Sequence, residues 1–184
     1  GLDDHHVHIV GDDVVEFAGD GGALVFRNSP EAPALCALEI SKALRNHPEL
    51  CVRMGIHSGP VNQVTDLNEQ ANIAGAGINI AQRVMDCGDR GHILLSQRVA
   101  DDLAHYRQWQ SQLHDLGEVE VKHGVRLHLF NLYNEELGNP EVPEKLRQTK
   151  PQTVPTVAGR REELWVAVLP FKSSGDAEME SFAD

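Results

Sequence analysis

The sequence predicts an α+β domain in which a mostly antiparallel sheet carries flanking helices. Apolar strand-like runs at residues 14–17 and 23–26 surround the turn sequence GDGG, which predicts a tight hairpin. A second pair of strand-like runs, residues 113–121 and 125–132, surrounds a three-residue turn. Between the two pairs, apolar residues recur at helical spacing, so strands and helices share one domain.

The remaining elements follow from the same periodicity. Helices are predicted at residues 29–46, 78–85 and 97–105, and further strands at residues 50–58, 92–95 and 164–171. Ser29 is a candidate cap for the first helix, Pro30 suits its first turn, and Glu31 favours its positive end.

The helix predicted at residues 78–85 carries the most informative polar side chains. Asn79 and Arg83 lie one turn apart and project from the face opposite the apolar residues. An amide beside a guanidinium suits a sugar oxygen and a phosphate. Gly75 and Gly77 have no side chains, so the backbone there can be approached closely. The helix N-terminus offers free N–H groups to an anion. Taken alone, the pattern also fits an ordinary amphipathic helix with a solvated face.

Composition excludes several classes of protein. The formal charge of −12 argues against a nucleic-acid partner, because a phosphate-binding surface needs the opposite sign. Cys36, Cys51 and Cys87 lack CxxC spacing, which predicts reduced thiols and a cytoplasmic location.

No apolar run approaches the roughly 20 residues of a membrane-spanning helix, which leaves open a membrane tether outside these residues. The sequence begins without Met, and we expect it to be a piece of a longer protein.

Three motifs carry a resemblance to a known family. The sequence GAGINIAQRVM is followed by GHILLS, and VRMGIHSGPV precedes both. Over residues 10–135 this pattern resembles the class III adenylate/guanylate cyclase catalytic domain of bacteria. The resemblance implies a ferredoxin-like nucleotidyl cyclase fold and an enzyme that forms a 3′,5′-cyclic nucleotide and pyrophosphate from ATP or GTP.

The resemblance also implies roles for individual residues. Asn79 orients the ribose and Arg83 acts on the transition-state phosphate, while Lys122 binds the triphosphate. Asp20, in the GDGG turn, is one of two carboxylates that bind a pair of Mg²⁺ or Mn²⁺ ions. The family's site lies at a homodimer interface, so Asp20 of one subunit would face Asn79 and Arg83 of the other. A solubilising hairpin lysine is the alternative interpretation of Lys122.

Two positions bear on the choice of base. Adenylate cyclases often carry Lys where this chain has Glu16, and guanylate cyclases often carry Glu. At Asn72, adenylate cyclases commonly carry Asp or Thr and guanylate cyclases Cys. The resemblance therefore leaves ATP and GTP both open, and a solvent-facing strand carboxylate is an equal alternative for Glu16.

The family's first metal carboxylate has no counterpart here. It follows a pattern like F-x-D on the first strand, and nothing before Asp20 matches that pattern. We therefore expect a domain truncated at its N-terminus, a gap in the sheet where the first strand belongs, and no turnover by this chain alone.

The predicted domain boundaries combine these resemblances with composition. The resemblance implies a cyclase domain over residues 1–135, and a composition rich in Glu, Pro, Asn, Gln and Thr predicts a linker over residues 136–162. Residues 163–184, ELWVAVLPFKSSGDAEMESFAD, resemble the start of a TolB-like domain, which implies a fused module. A second hypothesis keeps the same fold without the activity. In that hypothesis, a degenerate cyclase-like domain binds nucleotide or dimerises and regulates the fused module.

Overall fold

The protein contains one large sheet with helices on both faces. The structure is a computed structural model, and it describes residues 6–10, 13–18, 21–27, 29–65, 71–147 and 164–170. The strands are β1 His6–Val10, β2 Asp13–Ala18, β3 Gly21–Phe26, β4 Met54–Gly59, β5 Asn62–Thr65, β6 Ala71–Ala74, β7 Ile93–Ser96, β8 Leu113–Val121, β9 Val125–Leu132 and β10 Leu164–Pro170. The helices are α1 Ala32–Leu44, α2 Ala76–Met85, α3 Gln97–Ala104, α4 Arg107–Gln110 and α5 Glu144–Arg147.

Eight of these strands form the main sheet. Their order is β1-β2-β3-β10-β4-β7-β9-β8, and β5 and β6 form a separate two-stranded sheet. Within the main sheet, β4 and β7 pair in parallel and the other neighbours pair antiparallel. The predicted α+β class, with a mostly antiparallel sheet and flanking helices, is confirmed.

Strand β7 shows why the sheet needs helices on both faces. All four of its residues are buried, and the three apolar ones alternate between two apolar clusters. Ile93 and Leu95 join the cluster formed with α1, α3 and α4, whereas Leu94 joins the cluster formed with α2. The first cluster is the larger and includes the buried indole of Trp109.

Helix α2 packs unusually close to the sheet. A Cβ added at Gly55 in β4 would lie 2.4 Å from the backbone nitrogen of Met85 and 2.5 Å from the carbonyl oxygen of Ala81. Gly77 meets the end of β4 in the same way, and its N–H donates to the Pro60 carbonyl at 3.0 Å. The absence of side chains at both positions lets the helix lie directly on the strand.

The centre of the sheet differs from the arrangement that the sequence predicts. Strand β10 lies between β3 and β4 and pairs antiparallel with both, so that Val166 is opposite Val25 on one side and His57 on the other. Its sequence, LWVAVLP, is almost wholly apolar, which suits a strand with α1 on one face and α2 on the other. Residues 164–170 thus occupy the middle of the sheet, where a gap was expected, and the predicted domain boundaries stay predictions.

The first part of the predicted linker also packs on the domain. His92, which is buried, hydrogen-bonds through Nε2 to the Glu141 carbonyl oxygen at 2.8 Å. The side-chain amide of buried Asn131 donates to the Asn139 carbonyl oxygen at 2.7 Å. Because buried polar groups need partners, these bonds hold residues 139–141 against the sheet. Residues 148–163 lie outside the described residues.

Two further findings concern the described part of the chain. None of its helices has both the length and the apolar character that crossing a membrane requires. Cys36, Cys51 and Cys87 form no disulfide, as their spacing predicts.

Candidate functional site

Helix α2 carries two of the predicted site residues. It begins at Ala76, two residues earlier than its apolar face predicts, and ends at Met85. Asn79 is exposed and Arg83 is half-buried, one turn further along the helix. Ala81, on the face of α2 that packs on the sheet, is fully buried. The polar face of the helix therefore points away from the sheet.

Lys122 lies at the end of the last hairpin. Strands β8 and β9 have the bounds that the sequence predicts, and a 3₁₀ turn, Lys122–Gly124, joins them. Gly124 has φ of 70°, a conformation that glycine adopts readily and that closes the turn. Lys122 is exposed at the first position of this turn.

Arg83 and Lys122 meet at one cavity. The cavity has a volume of about 300 Å³ and lies between the C-terminal half of α2, strand β8 and helix α5. Its other lining residues are Asp86, Cys87, Val119, Glu120, Val121 and Lys145. The structure therefore brings together two side chains that are 39 positions apart in sequence and that the resemblance assigns to one triphosphate.

The charges around this cavity favour an anion. Three cationic side chains line it, Arg83, Lys122 and Lys145, against two carboxylates. One of those, Asp86, forms an ion pair with Arg53, whose guanidinium nitrogen is 3.2 Å from the carboxylate oxygen. In a chain with a formal charge of −12, such a cationic concentration is a local exception.

Cys87 contributes a neutral thiol to the cavity wall. Its Sγ donates to the Arg83 carbonyl oxygen at 3.3 Å, an i to i−4 contact at the end of α2. Burial raises the pKa of this thiol above its usual range, although the nearby cations Lys145 and Arg53 act to lower it. The thiol thus stays protonated at neutral pH and adds no negative charge to the cavity.

The predicted base-reading residues lie in strands. Glu16 is in β2, opposite Val7 and Ala23, and Asn72 is in β6, opposite Val64. Their backbones are described, and their side chains lie outside the description. Their roles in reading the base therefore stay predictions.

The predicted metal ligand lies outside the described residues. Asp20 falls in the connection between β2 and β3, of which residues 19 and 20 are not described. Among the side chains that are described, no group of three or more His, Cys, Asp or Glu residues is arranged to hold a metal ion. The carboxylate of Asp20 has the oxygen donors that Mg²⁺ and Mn²⁺ prefer, so its residue type fits the ions.

Sequence reasoning missed the contribution of helix α5. Lys145 falls in a stretch without periodicity, which the sequence predicts to be a linker. A signal was present, because Pro143 directly precedes Glu144, and proline followed by an acidic residue is typical of a helix start. A four-residue helix is too short for its periodicity to show in the sequence.

Comparison with known families gives one match. The family model described as the adenylate and guanylate cyclase catalytic domain matches residues 32–134, more than half of the chain. The matched region contains α2, the hairpin with Lys122, and every cavity-lining residue except Lys145. A comparison with curated proteins found no match.

Proposed function

This chain belongs to the adenylate and guanylate cyclase catalytic domain family, and on that premise we propose that it forms a 3′,5′-cyclic nucleotide from ATP or GTP. The observation that carries the proposal is the shared cavity of Arg83 and Lys122, with Asn79 one turn away on the same helix. In the reaction, the 3′-oxygen attacks the α-phosphorus, the bond from that phosphorus to pyrophosphate breaks, and the hydroxyl proton passes to solvent water.

The two cationic residues and Asn79 have separate roles in this proposal. Arg83 donates to the α-phosphate oxygens, where charge accumulates as the new bond forms. Lys122 holds the outer phosphates as a point charge on a flexible stem. Asn79 donates to or accepts from the ribose and so orients the attacking hydroxyl.

Divalent metal is part of the proposal. Two Mg²⁺ or Mn²⁺ ions, with Asp20 as one ligand, would supply a lower pKa for the 3′-hydroxyl and charge neutralisation at the triphosphate. The family generally uses divalent metals.

We also propose that the working unit is a homodimer in the cytoplasm. Asn79 is exposed on α2, as a residue that completes a site across a subunit boundary should be. The reduced thiols agree with a cytoplasmic location. Full activity from a protein that sediments as a monomer would contradict the dimer.

The test is a direct assay of the full-length protein that contains this domain. With Mn²⁺ or Mg²⁺, we expect cyclic nucleotide from ATP or from GTP, quantified by chromatography. Arg83→Ala should lower kcat by roughly 10²–10³, the usual cost of removing one transition-state donor, while the unfolding midpoint stays unchanged. Gln82→Ala, an exposed neighbour on α2, is the matched control and should retain wild-type activity.

Two residues of the sequence favour an alternative function, that of a regulatory domain without cyclase activity. Glu16 departs from the adenylate pattern and Asn72 fits neither pattern, which suits a degenerate domain that binds nucleotide and regulates a fused TolB-like module. The same assay separates the two functions. Nucleotide binding without product from either ATP or GTP would favour the regulatory domain and end the cyclase proposal.

A further inference from the structure

We propose that Lys145 is a third polyphosphate-binding residue of the Arg83–Lys122 cavity, supplied by a helix that follows the family's matched region. The inference rests on the proposed function, because it assigns the cavity to the phosphate chain of the nucleotide. Lys145 lies beyond residue 134, where the family model ends.

The position of Lys145 is fixed by the packing of α5. Leu146 packs against the apolar cluster that contains Val84 and Cys87 of the α2 end. The backbone N–H of Glu144 donates to Asp89 Oδ2 at 2.8 Å. These two contacts dock the helix beside the cavity, and Lys145 lines the cavity from it.

A direct hydrogen bond links Lys145 to the helix that carries Arg83. Its Nζ donates to the carbonyl oxygen of Asp86, the residue that caps the C-terminus of α2. The negative end of a helix favours a cation, so this bond holds the ammonium near the guanidinium in spite of their like charge. Two cations held close together create a site that an anion stabilises.

The carboxylates of the cavity do not cancel this charge. Asp86 is already paired with Arg53. Glu120 is exposed and lies opposite Arg126 in the β8–β9 register. Each carboxylate therefore has a cationic neighbour outside the set of Arg83, Lys122 and Lys145, which favours a multiply charged anion as the ligand.

The volume agrees with a chain of phosphate groups. A cavity of about 300 Å³ is at the lower end for small-molecule sites, which suits a compact anion rather than a whole nucleotide. A polyphosphate has several oxygens, so it can accept hydrogen bonds from cationic side chains on α2, the hairpin turn and α5 at the same time.

The test uses inorganic tripolyphosphate and the whole 184-residue chain. Its affinity is measured by isothermal titration calorimetry for the wild type, Lys145→Met and Lys145→Arg. Lys145→Met keeps the apolar stem and removes the charge, so we expect about tenfold weaker binding, the scale of one charged hydrogen bond. Lys145→Arg keeps the charge and should bind within about threefold of the wild type.

Arg147→Met is the matched control on the same helix. Arg147 is exposed and pairs with Glu141 at 3.0 Å, away from the cavity lining, so its removal should leave tripolyphosphate affinity unchanged. Equal unfolding midpoints for all variants would exclude a loss of folding. A wild-type affinity in Lys145→Met, or an equal loss in Arg147→Met or Lys145→Arg, would overturn the inference.

Arg83→Met separates this inference from the proposed function. If Arg83→Met weakens tripolyphosphate binding and Lys145→Met does not, the result contradicts the role of Lys145 and leaves the cyclase proposal intact. If the wild type binds neither tripolyphosphate nor ATP, the result contradicts both the role of Lys145 and the cyclase proposal. Binding of ATP without tripolyphosphate would overturn the inference alone.

Discussion

His57 is a titratable residue placed where its charged form is costly. It lies in β4 beside β10, and its Nδ1 is 2.8 Å from the Ser96 hydroxyl oxygen. Burial lowers the pKa of this imidazole to about 4, and the positive charge of Arg98 acts in the same direction. At neutral pH the side chain is therefore a neutral, hydrogen-bonded part of the sheet.

This environment predicts a loss of stability in mild acid. Between pH 6.5, the ordinary value for His, and about 4, the unfolded state binds a proton that the folded state excludes. The free energy of unfolding should thus fall as the pH drops through that window, by at most about 1.4 kcal/mol per unit. Urea unfolding at several pH values measures this slope.

His57→Asn isolates the contribution of this residue. The amide can still bond to Ser96 and does not titrate, so the slope of stability against pH should be shallower than in the wild type. His105→Asn, at the exposed end of α3, should keep the wild-type slope. Parallel curves for the wild type and His57→Asn would contradict the assignment.

At the scale of elements, the contact between α2 and β4 positions the site. Gly55 lets the helix axis approach the strand, and Arg83 and Asn79 are carried on the opposite side of that helix. Backbone atoms surround the missing Cβ, and backbone yields less readily than a flexible side chain. A methyl group here would therefore move the whole helix.

Gly55→Ala should destabilise the protein by roughly 3 kcal/mol or more, at or above the upper end of overpacking costs. Gly117→Ala is the control, because Gly117 has φ of 81° and no atom within 4 Å of the added Cβ. That control should cost only about 1–2 kcal/mol, from backbone strain alone. Thermal or urea unfolding compares them, and equal losses would show that α2 tolerates displacement.

The elements differ in how far their sequences determine them. Strands β8 and β9 and helix α3 were predicted within a residue of their bounds, because each carries a complete local period. Strands β5 and β6 have no counterpart among the predicted strands. At four residues each, they depend on pairing with each other, which a local pattern does not encode.

The candidate site was predictable in the same uneven way. Motif spacing predicts Arg83 and Lys122 as site residues, and the structure adds that both line one cavity. Lys145 and Asp86 were missed because their positions depend on tertiary contacts, such as the burial of Leu146. A lone lysine in an aperiodic stretch carries no information about what it faces.

At the scale of the whole molecule, β10 joins the two halves of the sheet. It is the neighbour of both β3 and β4, so the strands on either side are connected through its hydrogen bonds. In a strand that is hydrogen-bonded on both sides, the loss of one backbone N–H leaves a carbonyl oxygen of a neighbouring strand without its hydrogen bond.

Ala167→Pro should therefore be severely destabilising, by about 3 kcal/mol or more, because Ala167 is paired with Leu24 and with Ile56. Leu164→Pro is the control at the first residue of the strand, where proline is tolerated. Unfolding curves and amide hydrogen exchange of β3 and β4 report the effect. Equal stability of the Ala167→Pro and Leu164→Pro variants would show that β10 does not hold the sheet together.

The place of β10 has a consequence for synthesis on the ribosome. Its residues are translated about one hundred positions after β4, which at about 5–20 residues per second is a delay of roughly 5–20 s. During that interval the nascent β3 and β4 present open edges, the kind of surface that chaperones bind and that pairs with neighbouring chains. The yield of native protein should then depend on translation speed and on chaperone supply more than its final stability suggests.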